Sequence, residues 1–130
     1  MRNIFIRLNK FIVEVLEEGN VNEFLGDIPE QIRSRFFRDM DMLEKGMSGT
    51  WLKSLPGTDK LYEFRQQDEK TWYRILAFMS KNPNKGQPKL VLCAHGITKD
   101  QNKLHKKEFK KAEKLKKEYA ANLLKEKKKN

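Results

Sequence analysis

The run Lys89-Leu90-Val91-Leu92-Cys93-Ala94-His95 constrains the fold of this chain more than any other stretch. It is apolar at every position from Leu90 to Ala94. It shows neither the alternation of a half-exposed strand nor the spacing of an amphipathic helix. Such a run fits a strand buried on both faces. Residues 61–65 and 71–79 lead up to it as two strand-like segments joined by the polar connection 66–70, which predicts a hairpin. Pro83-Asn84-Lys85-Gly86 then turns the chain into the apolar run.

Upstream, residues 4–16 are rich in β-branched and aromatic side chains and predict a strand, with a shorter one at 3–8. Asn20-Val21-Asn22-Glu23 has capping-box spacing and predicts a short helix that Gly26 ends. Asp27-Ile28-Pro29-Glu30 repeats the spacing, with proline tolerated in the first turn. The helix that follows carries Ile32, Phe36, Met40 and Leu43 on one stripe, with Phe37 widening it and Gly46 as its stop. A short strand at Trp51-Leu52-Lys53 sits between Gly49 and Pro56-Gly57. Past Gly96, Phe109, Ala112, Leu115, Tyr119 and Leu123 recur at helical spacing and predict a long amphipathic C-terminal helix. The expected fold is an α+β domain with its helices packed on one side of an antiparallel meander. It spans 1–124 as a single domain, followed by a basic tail, 125–130, that frays.

A chain of 130 residues suits one domain. Its formal net charge of +10 is unevenly placed. Residues 1–98 hold 15 basic and 13 acidic side chains, whereas residues 99–130 hold 13 and 5. The basic C-terminal quarter attracts nucleic acid, anionic lipid or an acidic protein. The single cysteine, Cys93, excludes an internal disulfide and a zinc site built on several cysteines. No apolar stretch approaches the ~20 residues of a membrane span. The first residues are too short and too interrupted by charge for a secretory signal. A cytoplasmic protein without cofactor, metal or membrane partner is expected.

Period-2 alternation places Leu61, Glu63 and Arg65 on one face, opposite Tyr62 and Phe64. It places Trp72, Arg74, Leu76 and Phe78 together, opposite Tyr73, Ile75, Ala77 and Met79. A plausible hairpin register brings Arg65 and Arg74 onto one surface near the turn. His95 ends the third strand, and Lys99 follows it. Arginine is costly within a sheet unless it meets water, an acid or an anionic ligand. These four cations are therefore expected to converge on a concave, solvent-open patch that holds phosphate. Such a patch suits metal-free RNA cleavage, in which the ribose 2′-hydroxyl attacks the adjacent phosphate. Arginines would stabilise the charge gathered on phosphate oxygens, and His95 or Lys99 would move protons. Tyr62 and Tyr73 are candidates to stack on a base. Lys103, Lys106, Lys107 and Lys110 are candidates to hold the RNA backbone. Simpler readings stand beside these. The arginines can pair with Glu63, Asp68 or Glu69, His95 can be structural, Lys99 can be merely solvated, and Trp51 and Trp72 can be core.

Several of these residues also form a pattern in order. Leu55-Pro56-Gly57, Leu61-Tyr62-Glu63-Phe64-Arg65, Tyr73-Arg74-Ile75-Leu76, Leu90-Val91-Leu92 and His95-Gly96-Ile97-Thr98-Lys99 precede a helix over 112–119. This series resembles the phage-derived Gp49-like/HigB branch of the RelE toxin superfamily, over roughly residues 10–122. The resemblance implies a RelE-like fold of N-terminal helices on a mainly antiparallel sheet, with a C-terminal helix. It implies a toxin that cleaves mRNA, commonly on the ribosome, and a cognate antitoxin that typically carries a helix-turn-helix DNA-binding domain. Arg65 and Arg74 match the family's strand arginines, and Lys99 matches the first basic residue after its His-Gly-Phe-x segment. The chain departs from that segment at Ile97, where phenylalanine is usual, and at Asp100, where a second lysine is usual. A non-catalytic nucleic-acid- or protein-binding module of the same fold is the alternative.

Overall fold

The computed structural model describes residues 9–100 and 106–129. In chain order the elements are β1 (Phe11–Val15), α1 (Val21–Asp27), α2 (Glu30–Glu44), β2 (Lys53–Ser54), β3 (Leu61–Gln67), β4 (Trp72–Ser80), β5 (Lys89–Lys99) and α3 (Lys106–Lys129). The five strands form one sheet in the order β1-β5-β4-β3-β2. The pairs from β2 to β5 are antiparallel, and β1 joins β5 in parallel, so the α+β architecture carries a mixed sheet. The first predicted strand contracts to Phe11–Val15, and the one expected at 3–8 lies outside the described residues. The strand expected at 51–53 begins only at Lys53. α3 is helical over Lys106–Lys129.

The helices do not share one side of the sheet, which corrects the sequence-based expectation. Ile32 and Phe36 of α2, with Val21 and Phe24 of α1, pack on Phe64, Ile75, Val91 and Cys93. On the opposite face Phe109, Ala112, Leu115 and Tyr119 of α3 pack on Leu61, Leu76, Phe78 and Leu92. The reason lies in β4 and β5. Both are buried at nearly every position, so each face of the sheet needs its own apolar cover. On α2 the stripe of Ile32, Phe36 and Met40 is buried as expected, but Phe37 is 50% exposed. One residue along a helix is a turn of about 100°, which carries Phe37 away from the sheet.

Two local features depart from the sequence reading and shape the site. Asn20 makes no side-chain cap to α1. Its carboxamide instead reaches β5, where its Oδ1 accepts from the Gly96 N–H at 2.7 Å and its Nδ2 donates to the Gly96 C=O at 3.1 Å. A Cβ at Gly96 would collide with the Phe24 ring, so only glycine lets α1 lie this close. The second feature is a bulge. Leu76 pairs with His95 and Ala77 with Cys93, which leaves Ala94 as an extra residue in β5. Cys93 therefore faces α2, while Ala94 and His95 both face α3. Every residue beyond the bulge is shifted by one place in the alternation.

Candidate functional site

The bulge assembles the site. It turns His95, Ile97 and Lys99 to the face that carries Arg65 and Arg74. Arg65 and Arg74 are direct cross-strand partners, and Arg74 is paired on its other side with Ile97. Toward the hairpin lies the row Gln67, Trp72 and Lys99; in the other direction lies the row Glu63, Leu76 and His95. The ring of Trp72 holds the two arginines together. Its centroid is 5.2 Å from the Arg65 Cζ and 5.9 Å from the Arg74 Cζ, both within cation–π range.

Glu63 supplies the counter-charge. Arg74 Nη1 donates to Glu63 Oε2 at 2.6 Å, and Arg65 Nη1 lies 4.0 Å from Glu63 Oε1. The side chains of Arg74 and Glu63 are 7% and 4% exposed, against 31% for Arg65. The expected solvent-open hollow is corrected accordingly. The guanidiniums do share a face, but Arg74 is buried on a carboxylate and only Arg65 reaches partly into solvent. A charge in the middle strand of a covered sheet requires a charged partner to offset its lost hydration. Among the described residues both guanidiniums lie near the Glu63 carboxylate, and half-buried Lys99 adds a further positive charge on the same face.

His95 is held differently. Its Nε2 lies 2.5 Å from Glu108 Oε2, and both side chains are nearly buried. Burial raises the Glu108 pKa. The His95 hydrogen bond and the charges of His95, Lys111 and Lys99 outweigh it, so the carboxyl sits below its ordinary value. The pair ties β5 to the first turn of α3. The other side of His95 borders a cavity of about 400 Å³ between the loop at Gly19 and Lys111 and Leu115 of α3.

The tyrosines are not brought to this cluster. Tyr62 and Tyr73 face the other side of the sheet, as the alternation requires. Tyr73 is buried beside α1 and α2, where its hydroxyl donates to Asp68 Oδ2 at 3.2 Å. Burial and that acidic partner raise its pKa. A base stacked on Tyr73 would lie across the sheet from Arg65 and Arg74. Lys106, Lys107 and Lys110 are exposed on α3, and Lys110 borders a groove of about 590 Å³ with Asp59, Lys114 and Lys117. Lys103 lies outside the described residues. Glu108 was the residue that sequence reasoning missed. Amid the C-terminal lysines it looks like one solvated charge, and no local spacing marks its partner on β5.

Cys93 is buried, and its thiol is pushed up to about 12, which makes it unreactive. Among the described residues no cluster of three or more His, Cys, Asp or Glu side chains could hold a metal. None of their helices is long and apolar enough to cross a membrane.

The model of the phage-derived protein Gp49-like family (DUF891) matches residues 23–117. That span runs from α1 into α3 and includes Arg65, Arg74, His95 and Lys99. The chain belongs to this family, a family of RelE/HigB-type toxins. No curated protein and no solved structure shows significant similarity to the chain.

Proposed function

We propose that this chain has the RelE-like fold and is the toxin of a type II toxin–antitoxin pair, a metal-independent endoribonuclease that cleaves mRNA on the ribosome. One observation carries the reading. Arg65, Arg74 and Lys99 occupy neighbouring positions on one sheet face, gathered around Trp72 at the hairpin end. Arg65 and Lys99 meet the scissile phosphate, with Lys99 also serving proton transfer. Arg74, anchored on Glu63, fixes the Trp72 and Arg65 geometry from behind and adds its charge to the field at the phosphate. His95 acts through its pair with Glu108, which sets where α3 and its exposed lysines lie. Those lysines hold ribosomal RNA by phosphate contacts, so binding weakens with salt. The antitoxin is a neighbouring helix-turn-helix protein, and the toxin works in the cytoplasm.

The test is induced expression followed by mapping of transcript ends, with ribosomes and with purified RNA. Growth arrest with cleaved mRNA is expected. Arg65→Ala and Lys99→Ala should each lower cleavage by roughly 10²–10³-fold, the loss typical of one transition-state charge stabiliser. Cleavage that needs ribosomes separates this reading from an enzyme of free RNA, and cleavage unchanged by chelator supports the metal-free route.

The second reading is a binding module without catalysis. The Glu63–Arg74 and His95–Glu108 pairs favour it, because each satisfies a cation inside the protein, and Asp100 places an acid beside Lys99. Harmless expression with intact transcripts selects it.

A further inference from the structure

Among the described residues no strand pairs with the outer edge of β5 along its last third. β1 stops at Val15, opposite Cys93, whereas β5 continues to Lys99. The Asn20 carboxamide caps Gly96 at this edge, standing in for one residue of a neighbouring strand. Backbone groups two residues apart in a strand point the same way. The N–H and C=O of Thr98 are therefore turned to the side that Gly96 faces, and no strand of the described residues pairs there. Unpaired edges of this kind recruit extended chains.

The surroundings choose the occupant. Beside Thr98 lies a groove of about 380 Å³, walled by Glu23, Phe24, Asp27 and Pro29, with Tyr73 at its base. Its lining holds two carboxylates and no lysine or arginine, in a chain of formal net charge +10. Asp68, bonded to the Tyr73 hydroxyl, and Asp100, two residues past Thr98, add further negative charge near the base. We propose that the β5 edge at Thr98 receives a short extended strand of a partner protein, whose lysine or arginine side chain enters the groove between Glu23 and Asp27. Main-chain bonds supply the affinity, and the acidic groove selects the residue. Phe24 and Pro29 offer an apolar wall to the stem of that basic side chain. The groove lies on the α1 side, whereas Arg65 and Arg74 face α3, so the docked strand leaves the cationic cluster open. Strand docking stands independently of RNA cleavage.

A fluorescently labelled eight-residue peptide alternating lysine with valine, and the same peptide with glutamate for lysine, test the proposal by anisotropy on the full chain. The lysine peptide should bind saturably and the glutamate peptide should not. Thr98→Pro removes the outward N–H at a position where an edge strand tolerates proline; it should weaken binding at least about tenfold, with an unchanged circular dichroism spectrum. Glu23→Lys combined with Asp27→Lys, both at exposed positions, should do the same. Saturable binding that both variants lose, with a spectrum that neither changes, supports strand docking. No saturable binding of the lysine peptide, equal binding of the two peptides, or affinity unmoved by Thr98→Pro overturns it. Loss confined to the charge-reversal variant also overturns it, since bare electrostatic attraction would give that result.

Discussion

The two faces of the sheet are made by the same strands and each is closed by helix, yet they are held by different physics. Toward α1 and α2 the contact is almost wholly hydrocarbon: Phe36, Phe64, Ile75 and Val91 are fully buried, and Phe24 meets Phe36 edge-to-face at 6.1 Å. Toward α3, apolar residues such as Leu61, Leu76 and Leu92 alternate with the buried pairs Glu63–Arg74 and His95–Glu108. Apolar burial is non-directional and tolerant of small shifts. A buried ion pair is directional and is costly to break by removing one partner. Both faces bury apolar surface, and the second also fixes charged groups in place at some energetic cost. A buried carboxylate on each side shows the contrast again. On α2, burial dominates and raises the Asp39 pKa, despite Arg38 and a 2.5 Å hydrogen bond from Gln66. On α3, the His95 bond and nearby lysines lower that of Glu108.

Three substitutions would break or sharpen this comparison. The largest effect belongs to the apolar face. Phe36→Ala should cost about 3–5 kcal/mol in urea unfolding, the usual range for a fully buried phenylalanine. A loss under about 1 kcal/mol would mean that α2 is not the stabilising cover described.

Next comes Glu108→Gln, which keeps the shape of the carboxyl but removes its charge. It should cost about 1–3 kcal/mol near neutral pH, as for a charged hydrogen bond. Because the folded pKa lies below the ordinary value of 4.5, the stabilisation from Glu108 is fully present above that value. It is lost as pH falls through the lower folded value. The melting temperature of the wild type should drop over that acid window, and the variant should lose part of the drop. Parallel pH curves for the two proteins would remove the proposed tie between β5 and α3.

The smallest effect is expected at Asp39→Asn. A carboxyl whose folded pKa is raised takes up a proton more readily folded than unfolded, so its ionised form opposes folding at neutral pH. Asparagine should leave stability unchanged or raise it by less than about 1 kcal/mol at neutral pH. That gain should vanish as acid protonates the wild-type side chain. A clear destabilisation would show that Asp39 belongs with the ion-paired carboxylates instead.

Much of this was legible in the order of residues. The hairpin at 61–79, the turn at Pro83–Gly86 and the C-terminal helix follow from punctuation by Gly and Pro and from apolar spacing. Alternation with a plausible hairpin register brings Arg65 and Arg74 onto one surface, and the observed register pairs them directly. The apolar run at 90–94 already implied cover on both faces, a consequence that a one-sided arrangement of helices contradicts. Asn20 was legible as a helix start but not as the clamp on Gly96, because its partner lies 76 residues away.

The local sequence determined which segments become strand and helix, since propensity, periodicity and turn chemistry act over a few residues. Alternation and a plausible hairpin register bring the two arginines to one surface, and the strand pairing makes them direct neighbours. The fate of His95 and Lys99 was decided only by tertiary structure. Simple alternation assigns both to the face of Cys93, toward α2, and one extra residue at Ala94 reverses that assignment. A bulge arises from pairing between strands, so no period within β5 could reveal it. The burial of Arg74 on Glu63 was decided in the same way. A guanidinium in a central strand is wet or dry according to what surrounds it, and Glu63 on the neighbouring strand β3 takes the place of water at Arg74.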